Sequence, residues 1–499
     1  LDRDNFLKNS FLLVSSNIAT GILGFIFSIY LSKILGPEGM GLYNLVMPIY
    51  NLFICLMTAG IVASISKITA VYAQKGEHNN IVRTIRVVSL FNIIWAFLIG
   101  IIVFLLAPTL GKYGVNDVRT INAIKVICPA MVCIAISNIL KGYFYGTSKI
   151  TVPAIIDICE KAMRILTVSL LIFLTKAQTL EGMVTLATVA LCIGEFQSLF
   201  FLYIYYKYSI SKIPKSHEKP EGRVQLLFDV IIIAVPLLLN GFLTNILGTL
   251  STLIVPRRLL AAGFSYSEAL SMIGKYTGMA LSIITIPLIV VSTINTLLIP
   301  DLSQSLVLGK QYEASIRIKK VIKVAFLLGI ATTIICNVIP DALGKMFYDR
   351  VDLGMYIRFA SLTAPIFFPA VTMFGILNGL NRQNIILRNS MIEAIIELIC
   401  LYIFTAIHSI NIFGYSLTML IACTVGFILN IYEVNKHIEL NLNKSNITIY
   451  ILLGFLTFII INIFSKHMLT SSLIINNFIV IGLVFLIFAY LGTFGEAED

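Results

Sequence analysis

The chain has 499 residues, 58% hydrophobic and only 12% charged, with a mean hydropathy of +0.93. Soluble domains carry roughly 25% charged residues, and apolar runs of about 20 residues, enough for a helix to cross a bilayer, recur along this chain. This excludes a soluble globular protein, and the formal charge of +11 is strung between apolar segments, which favours membrane topology over nucleic acid.

The hydropathy pattern predicts fourteen spans: 10–34, 43–66, 87–110, 121–141, 153–175, 181–206, 227–255, 272–298, 321–340, 355–379, 386–408, 412–433, 447–465 and 473–493. The first is expected to be a span rather than a cleavable signal peptide, because it is long, lacks a small-residue cleavage site and is followed at once by more spans. With the N-terminus inside, 22 of the 36 Lys and Arg fall on the cytoplasmic side and 12 on the outer side. Lys161 and Arg164 lie within a span. The bias predicts a multi-pass cell-membrane protein with both termini in the cytoplasm. All eight cysteines lie in apolar segments without a C-x-x-C pair, so they read as small buried hydrophobes and no metal is expected.

The polar stretch "KYSISKIPKSHEKPEGR" (207–223) reads as a cytoplasmic linker between two halves. The expected organisation is an N-terminal lobe over 1–206, a linker over 207–226, a C-terminal lobe over 227–436, and two extra transmembrane helices over 437–499. The halves repeat. "NILKGYFYG" matches "GILNGLNRQ", with Ile139 and Ile376 separated by 237 positions. "LGK" at 110–112 recurs at 343–345, Pro129 pairs with Pro365, and "ILGFIFSIYLSK" parallels "ILGTLSTLIVPR". Six spans per half give both halves one orientation, so the repeats are parallel. The fold class expected is an all-α integral membrane protein with two six-helix lobes around a central cavity, plus two C-terminal helices.

Along the spans, polar residues stand out against the apolar background. Asn17, Thr20 and Ser28 in span one, and Asn44 and Asn51 in span two, could bond sugars or serve as interhelical glue. Pro48, Pro236 and Pro287 are candidate hinges or packing irregularities. Span five, "VPAIIDICEKAMRILTVSLLIFL", carries Asp157, Glu160, Lys161 and Arg164 within one arc of about 100°, a stripe that must face protein or a water-filled cavity. Glu160 and Arg164 have the i,i+4 spacing that suits pairing. A structural ion-pair network and a substrate or coupling role are both open. Glu195 in span six needs a partner, for which Arg164 or Lys33 is available.

Lys33, Arg257, Arg258 and Lys275 lie toward the outer ends of their spans, where snorkelling is the plain explanation. In span eleven, Glu393 and Glu397 share a face, with Glu397 lying 237 positions after Glu160 and Arg388 turned about 140° from Glu393. Two adjacent carboxylates in low dielectric need a proton, a sodium ion or a basic side chain from another helix.

"FLKNSFLLVSSNIATGILGFIFSIYLSKILGPEGMGLYNLVMPIYNLF", "ASISKITAVYAQKGE", "EKAMR" and the Gly194-Glu195 pair resemble the polysaccharide and lipid II flippases, including their sporulation members. These belong to the superfamily that also holds multidrug and toxin extrusion transporters, and the likeness covers nearly the whole chain. It implies alternating-access movement of an undecaprenyl-diphosphate-linked sugar across the cytoplasmic membrane, for spore cortex peptidoglycan. Membrane lipids, the lipid-linked saccharide and cell-wall synthases are the implied partners; no nucleic acid and no cofactor beyond Na⁺ or H⁺ coupling is implied.

Arg164 with Lys33, Arg257, Arg258 and Lys275 would supply the cations a diphosphate needs. Asp157, Glu160, Glu195, Asn17 and Asn51 would complete the substrate site. By the same likeness Asn240 or Asn245, Glu393 or Glu397, and Thr418 would form a sodium site. One departure stands out: the arginines usual in the first two spans are replaced by Gly21, Phe27 and Leu52. Either other cations replace them or the substrate differs.

No nucleotide-binding loop, H-E-x-x-H or serine-nucleophile motif occurs, so the chain is not expected to be an enzyme. A membrane-embedded glycosyltransferase or acyltransferase would need clustered His or acids, and the five histidines are scattered. A cation-coupled multidrug exporter of the same superfamily is the alternative function.

Overall fold

A computed structural model describes residues 3–175, 179–212, 221–307, 309–440, 444–466 and 473–494. Side chains are described throughout these ranges except at 3–11, 240, 300, 304, 307, 444–446, 473–474 and 493–494. Residues 213–220 of the 207–223 linker lie outside the described residues, as does the side chain of Asn240.

The chain forms two compact units, residues 1–35 with 42–253, and residues 36–41 with 254–499. All regular structure among the described residues is helical. The first unit holds α1 (Arg3–Thr58), α2 (Ile61–Lys75), α3 (His78–Thr109), α4 (Ile121–Gly146), α5 (Thr151–Thr175), α6 (Leu180–Ser211) and most of α7 (Arg223–Ala261). The second holds α8 (Tyr266–Ile273), α9 (Leu281–Ile284), α10 (Leu288–Val307), α11 (Gln311–Val338), α12 (Pro340–Tyr348), α13 (Gly354–Ser361), α14 (Ala364–Gly379), α15 (Gln383–Phe404), α16 (Gly414–Asn435), α17 (Lys444–Lys466) and α18 (Leu473–Phe494).

Nine described helical stretches are long and apolar enough to span a membrane, and two bent pairs bring the number to eleven. The distance to fourteen has a chemical cause. Expected spans one and two run together from α1 into α2, broken at Gly36, whose φ of 65° and ψ of −177° no L-residue adopts readily, and at Gly60 with φ 77°. α5 and α15 have the length of a span, but each carries at least three charges, more than an ordinary lipid-facing helix. Span eight is the bent pair α8–α9 with α10, turned by 57° next to Pro287. Pro48 and Pro236, by contrast, sit in uninterrupted helix.

Glycines carry the central packing of each unit. In the first, Gly142 and Gly146 of α4, one turn apart, let α2 approach: added Cβ atoms would lie 3.0 Å from the Val62 carbonyl oxygen and 2.5 Å from that of Ser66. In the second, Gly375 and Gly379 of α14 do the same for α10, meeting Asn295 and Leu302. Such small-x-x-x-small faces bring membrane helices close enough for dispersion to hold them. Gly142 and Gly379 are 237 positions apart, the offset of the sequence repeat, so both repeats use one packing device.

The compact units divide inside α7 rather than at the polar linker. The first half of α7 buries Leu226, Val230 and Ala234 in the apolar cluster of α2, α3 and α4 that includes Ile65, Ile81 and Tyr143. Tyr72 donates to the Glu221 carboxylate at 3.0 Å, and the Glu221 N–H donates to Asn80 at 2.9 Å, fastening the approach to α7. Residues 36–41 join the second unit because Gly41 and Gly274 allow backbone contact: Cβ atoms there would lie 2.1 Å from the Leu270 oxygen and 1.8 Å from the Pro37 oxygen. The two C-terminal helices α17 and α18 pack on α11, where Lys323 donates to the Gly492 carbonyl.

Candidate functional site

In the first unit the polar stripe of α5 points into protein. Glu160 and Arg164 are buried, and Asp157 and Lys161 half-buried. The opposite face, with Ile155, Met163, Leu166 and Leu170, is exposed and wholly apolar, as a lipid-facing surface should be. Arg164 forms ion pairs with Glu160, one turn back, and with Glu195 of α6 at 3.2 Å. Lys161 pairs with the other Glu160 oxygen at 2.9 Å. The bundle thus sets two carboxylates against two cations, and Glu195 takes Arg164 as its partner.

Three members of this site lie outside the sequence expectation. Lys141 of α4 pairs with Asp157 at 2.7 Å, although its place near the end of span four made it look like a topology-setting lysine. Its partner sixteen residues on was the signal. Tyr43 and Tyr50 of α1 are buried and interact electrostatically with Arg164, and the Tyr50 hydroxyl has no hydrogen-bond partner among the described residues. The Phe27 ring lies 5.9 Å from the Arg164 guanidinium, so a phenyl face stands where relatives place a second arginine.

The remaining expected substrate residues are dispersed. Asn17 and Asn51 are exposed on α1. Lys33 is exposed and makes no ion pair among the described residues. Arg257, Arg258 and Lys275 belong to the second unit. There Arg258 donates to the Tyr402 carbonyl at 2.9 Å and stacks on its ring at 3.9 Å. Lys275 pairs with Asp352 at 2.8 Å, and Arg350 pairs with the same carboxylate at 2.7 Å. The Arg350 hydrogen bond, with Lys275 beside it, holds the Asp352 carboxyl well below the usual carboxylate range.

In the second unit Glu393 and Glu397 stand half-buried on α15 facing α16, with no basic partner among the described residues. Arg388 does turn away: it donates to Glu433 at 2.7 Å and to Asn389 at 3.0 Å. Cys423 of α16 lines the same cleft as Glu393. Thr418, also on α16, is buried, and its hydroxyl has no hydrogen-bond partner among the described residues. Asn245 lies in the first unit, where its amide donates to the Gly241 carbonyl at 2.8 Å. No cluster of three His, Cys, Asp or Glu able to hold a metal occurs among the described residues.

The helix contacts also revise the internal alignment. Glu160 rests on Gly194 of α6, and Glu393 rests on Gly426 of α16. Glu160 therefore corresponds to Glu393 rather than to Glu397, and Arg164 corresponds to Glu397. A short contraction between spans four and five of the second repeat, relative to the first, moves the offset from 237 to 233.

The chain is similar to two curated Bacillus subtilis (strain 168) proteins. It is 23% identical to Stage V sporulation protein B over 446 residues, 88% of this chain and 85% of the relative. It is 22% identical to Lipid II flippase MurJ over 416 residues, 79% of this chain and 76% of the relative. Among solved structures, Lipid II flippase MurJ in an inward closed conformation superposes with a TM-score of 0.70 at 12% identity, covering 96% of this chain and 98% of that one. Fourteen transmembrane spans, in two parallel six-span repeats with two added spans, is thus the fold, and the chain is a multi-pass membrane protein. The family model described as "Polysaccharide biosynthesis protein" matches residues 6–306, and the chain belongs to that family.

Proposed function

We propose that the chain is a transporter that flips an undecaprenyl-diphosphate-linked sugar precursor across the cytoplasmic membrane by alternating access, in the synthesis of spore cortex peptidoglycan. The observation that carries this is the likeness to Stage V sporulation protein B across 88% of the chain. The buried charges of α5 and α6 agree with it, because charges inside a membrane bundle are retained where a polar cargo or ion passes. The cationic side of headgroup recognition falls to Lys33 first, since Arg164, Arg258 and Lys275 already have protein partners. Glu393 and Glu397 take up Na⁺ or H⁺ in at least one state, and cell-wall synthases are the downstream partners.

The test is transport of fluorescent lipid-linked disaccharide in proteoliposomes containing the full chain. Protection of the label from an external quencher should follow the protein, and no protein-dependent movement would overturn the function. Both termini lie in the cytoplasm in this proposal. Impermeant labelling of a cysteine at Ser216 but not at Asn116 in whole cells would reverse the topology. The unneutralised acids of α15 favour a second reading, a cation-coupled exporter of amphipathic cations. Efflux of a cationic dye without movement of lipid-linked sugar would select it.

A further inference from the structure

Within the second unit, α10, α14, α15 and α16 enclose a cleft of about 480 Å³. That falls in the range of small-molecule sites, roughly 300–1,000 Å³, and far exceeds the space one metal ion needs. Its wall is built from Ser292, Thr296, Glu393 and Asn430, with the rings of Phe367 and Phe374. Among the described residues no Lys, Arg or His lines it.

The hydrogen-bonding capacity left over in this wall is specific. The Ser292 and Thr296 hydroxyls donate to the Leu288 and Ser292 carbonyls, at 3.0 Å in each case, so toward the cleft they offer lone pairs. The Asn430 carbonyl oxygen accepts from Asn389 at 2.8 Å, which leaves its NH₂ group to donate. Glu393 adds a carboxylate, a strong acceptor for hydroxyl groups. The site therefore presents several acceptors, an amide donor and two aromatic rings, with one acid and no base.

We propose that this cleft binds an uncharged sugar ring of the transported headgroup, and that the anionic diphosphate is held elsewhere. A diphosphate would find no basic side chain in this wall to offset the loss of its hydration. A sugar satisfies each feature: its hydroxyls donate to Glu393, Ser292 and Thr296, a ring or amide oxygen accepts from Asn430, and its C–H faces pack on the electron-rich phenyl faces. This deepens the proposed function and rests on its saccharide cargo.

The test uses the full chain in nanodiscs with all eight native cysteines replaced and Thr296→Cys as reporter. The probes are the neutral β-1,4-linked disaccharide of N-acetylglucosamine, inorganic pyrophosphate and tetraphenylphosphonium. The disaccharide at ten times its dissociation constant should slow alkylation of the reporter about tenfold, while pyrophosphate leaves it unchanged. Asn430→Leu should abolish the protection, and if that variant does not fold, Phe374→Ala should weaken it. Absence of protection by the disaccharide, equal protection by pyrophosphate, or protection by the phosphonium alone overturns the inference. Lipid-linked sugar transport by the unmodified chain is measured in parallel: intact transport with an unprotected cleft sinks the cleft assignment alone. Failed transport sinks the proposed function, whatever the cleft binds.

Discussion

The carboxylate of Glu160 lies directly over Gly194, so close that a Cβ there would stand 2.9 Å from its Oε1. The second repeat reproduces the contact, with Gly426 beneath Glu393 and a Cβ 2.6 Å from Oε2. In each unit a glycine on the facing helix makes room for an acid inside the bundle. The residues one turn further along α5 and α15 then diverge: Arg164 in the first unit, Glu397 in the second. One repeat carries its counter-cation covalently, and the other places a second acid at that position.

The glycines are thus the simplest handle on the two sites. Gly194→Ala should displace Glu160 from Arg164 and destabilise the protein by about 1–3 kcal/mol, the usual result of overpacking. Gly426→Ala meets only the far end of Glu393, which has no ion pair to lose, and should cost less. Thermal unfolding of the two variants in one detergent checks the order. Equal losses would mean that the Glu160 network adds nothing.

Arg164 sits between Glu160 and Glu195, and removing it leaves two buried carboxylates with Lys161 as the nearest cation. Breaking a buried pair costs about 3–5 kcal/mol, so Arg164→Leu should severely reduce folded protein. Glu160→Arg combined with Arg164→Glu should recover part of the loss of either reversal, since the pair is rebuilt across the same turn. Recovery will be incomplete because Glu195 then faces a carboxylate. A double-mutant cycle on unfolding temperature reads the coupling, and strict additivity would show that the two residues act separately.

Much of this was legible in the sequence. Fourteen spans, the duplication, the single-face stripe of α5 and the turning away of Arg388 all follow from periodicity and from the cost of charge in lipid. Lys141 was missed because one lysine near a span end is the ordinary mark of topology, and only its distance to Asp157 gives it another role. The correspondence of Glu160 with Glu393 was missed because the offset was carried over from spans four and ten, and a short contraction before span eleven leaves no trace in composition. Tyr43 and Tyr50 were missed because nothing in hydropathy shows which side of a long kinked helix meets α5.

Asp352 and Arg350 lie between the apolar spans, with Lys275 at the outer end of span eight, and the cluster should respond to pH in a defined way. Asp352 has its pKa lowered by Arg350 and Lys275, so its contribution is present above the ordinary carboxylate pKa of about 4 and is lost only as pH falls below that. Asp352→Asn should lower the unfolding temperature slightly at pH 7 and equally at pH 5. The size is limited to about 1 kcal/mol or less, because these side chains are partly exposed and water screens them. The difference from wild type should vanish only in strong acid. A variant that converges with wild type by pH 5 would place the titration on another group.

Coupling is tested in α15. Glu393 and Glu397 lie one turn apart, and the nearest base on their own helix, Arg388, is committed to Glu433. Leaving both acids ionised and unpaired in a membrane would cost several kcal/mol, so uptake of a proton or Na⁺ is the expected remedy. An ion held there drives alternating access only if its affinity differs between inward-open and outward-open states. Glu393→Gln combined with Glu397→Gln should then remove the dependence of transport on an imposed ion gradient while leaving unfolding temperature unchanged or raised. A membrane potential should still act on an anionic cargo, by about 2.3 kcal/mol per charge per 100 mV, so residual transport in the variant should follow voltage. Proteoliposomes with separately imposed sodium, proton and potassium-valinomycin gradients resolve these forces. If the double variant keeps its sodium or proton dependence, the coupling site lies elsewhere and the two glutamates are structural.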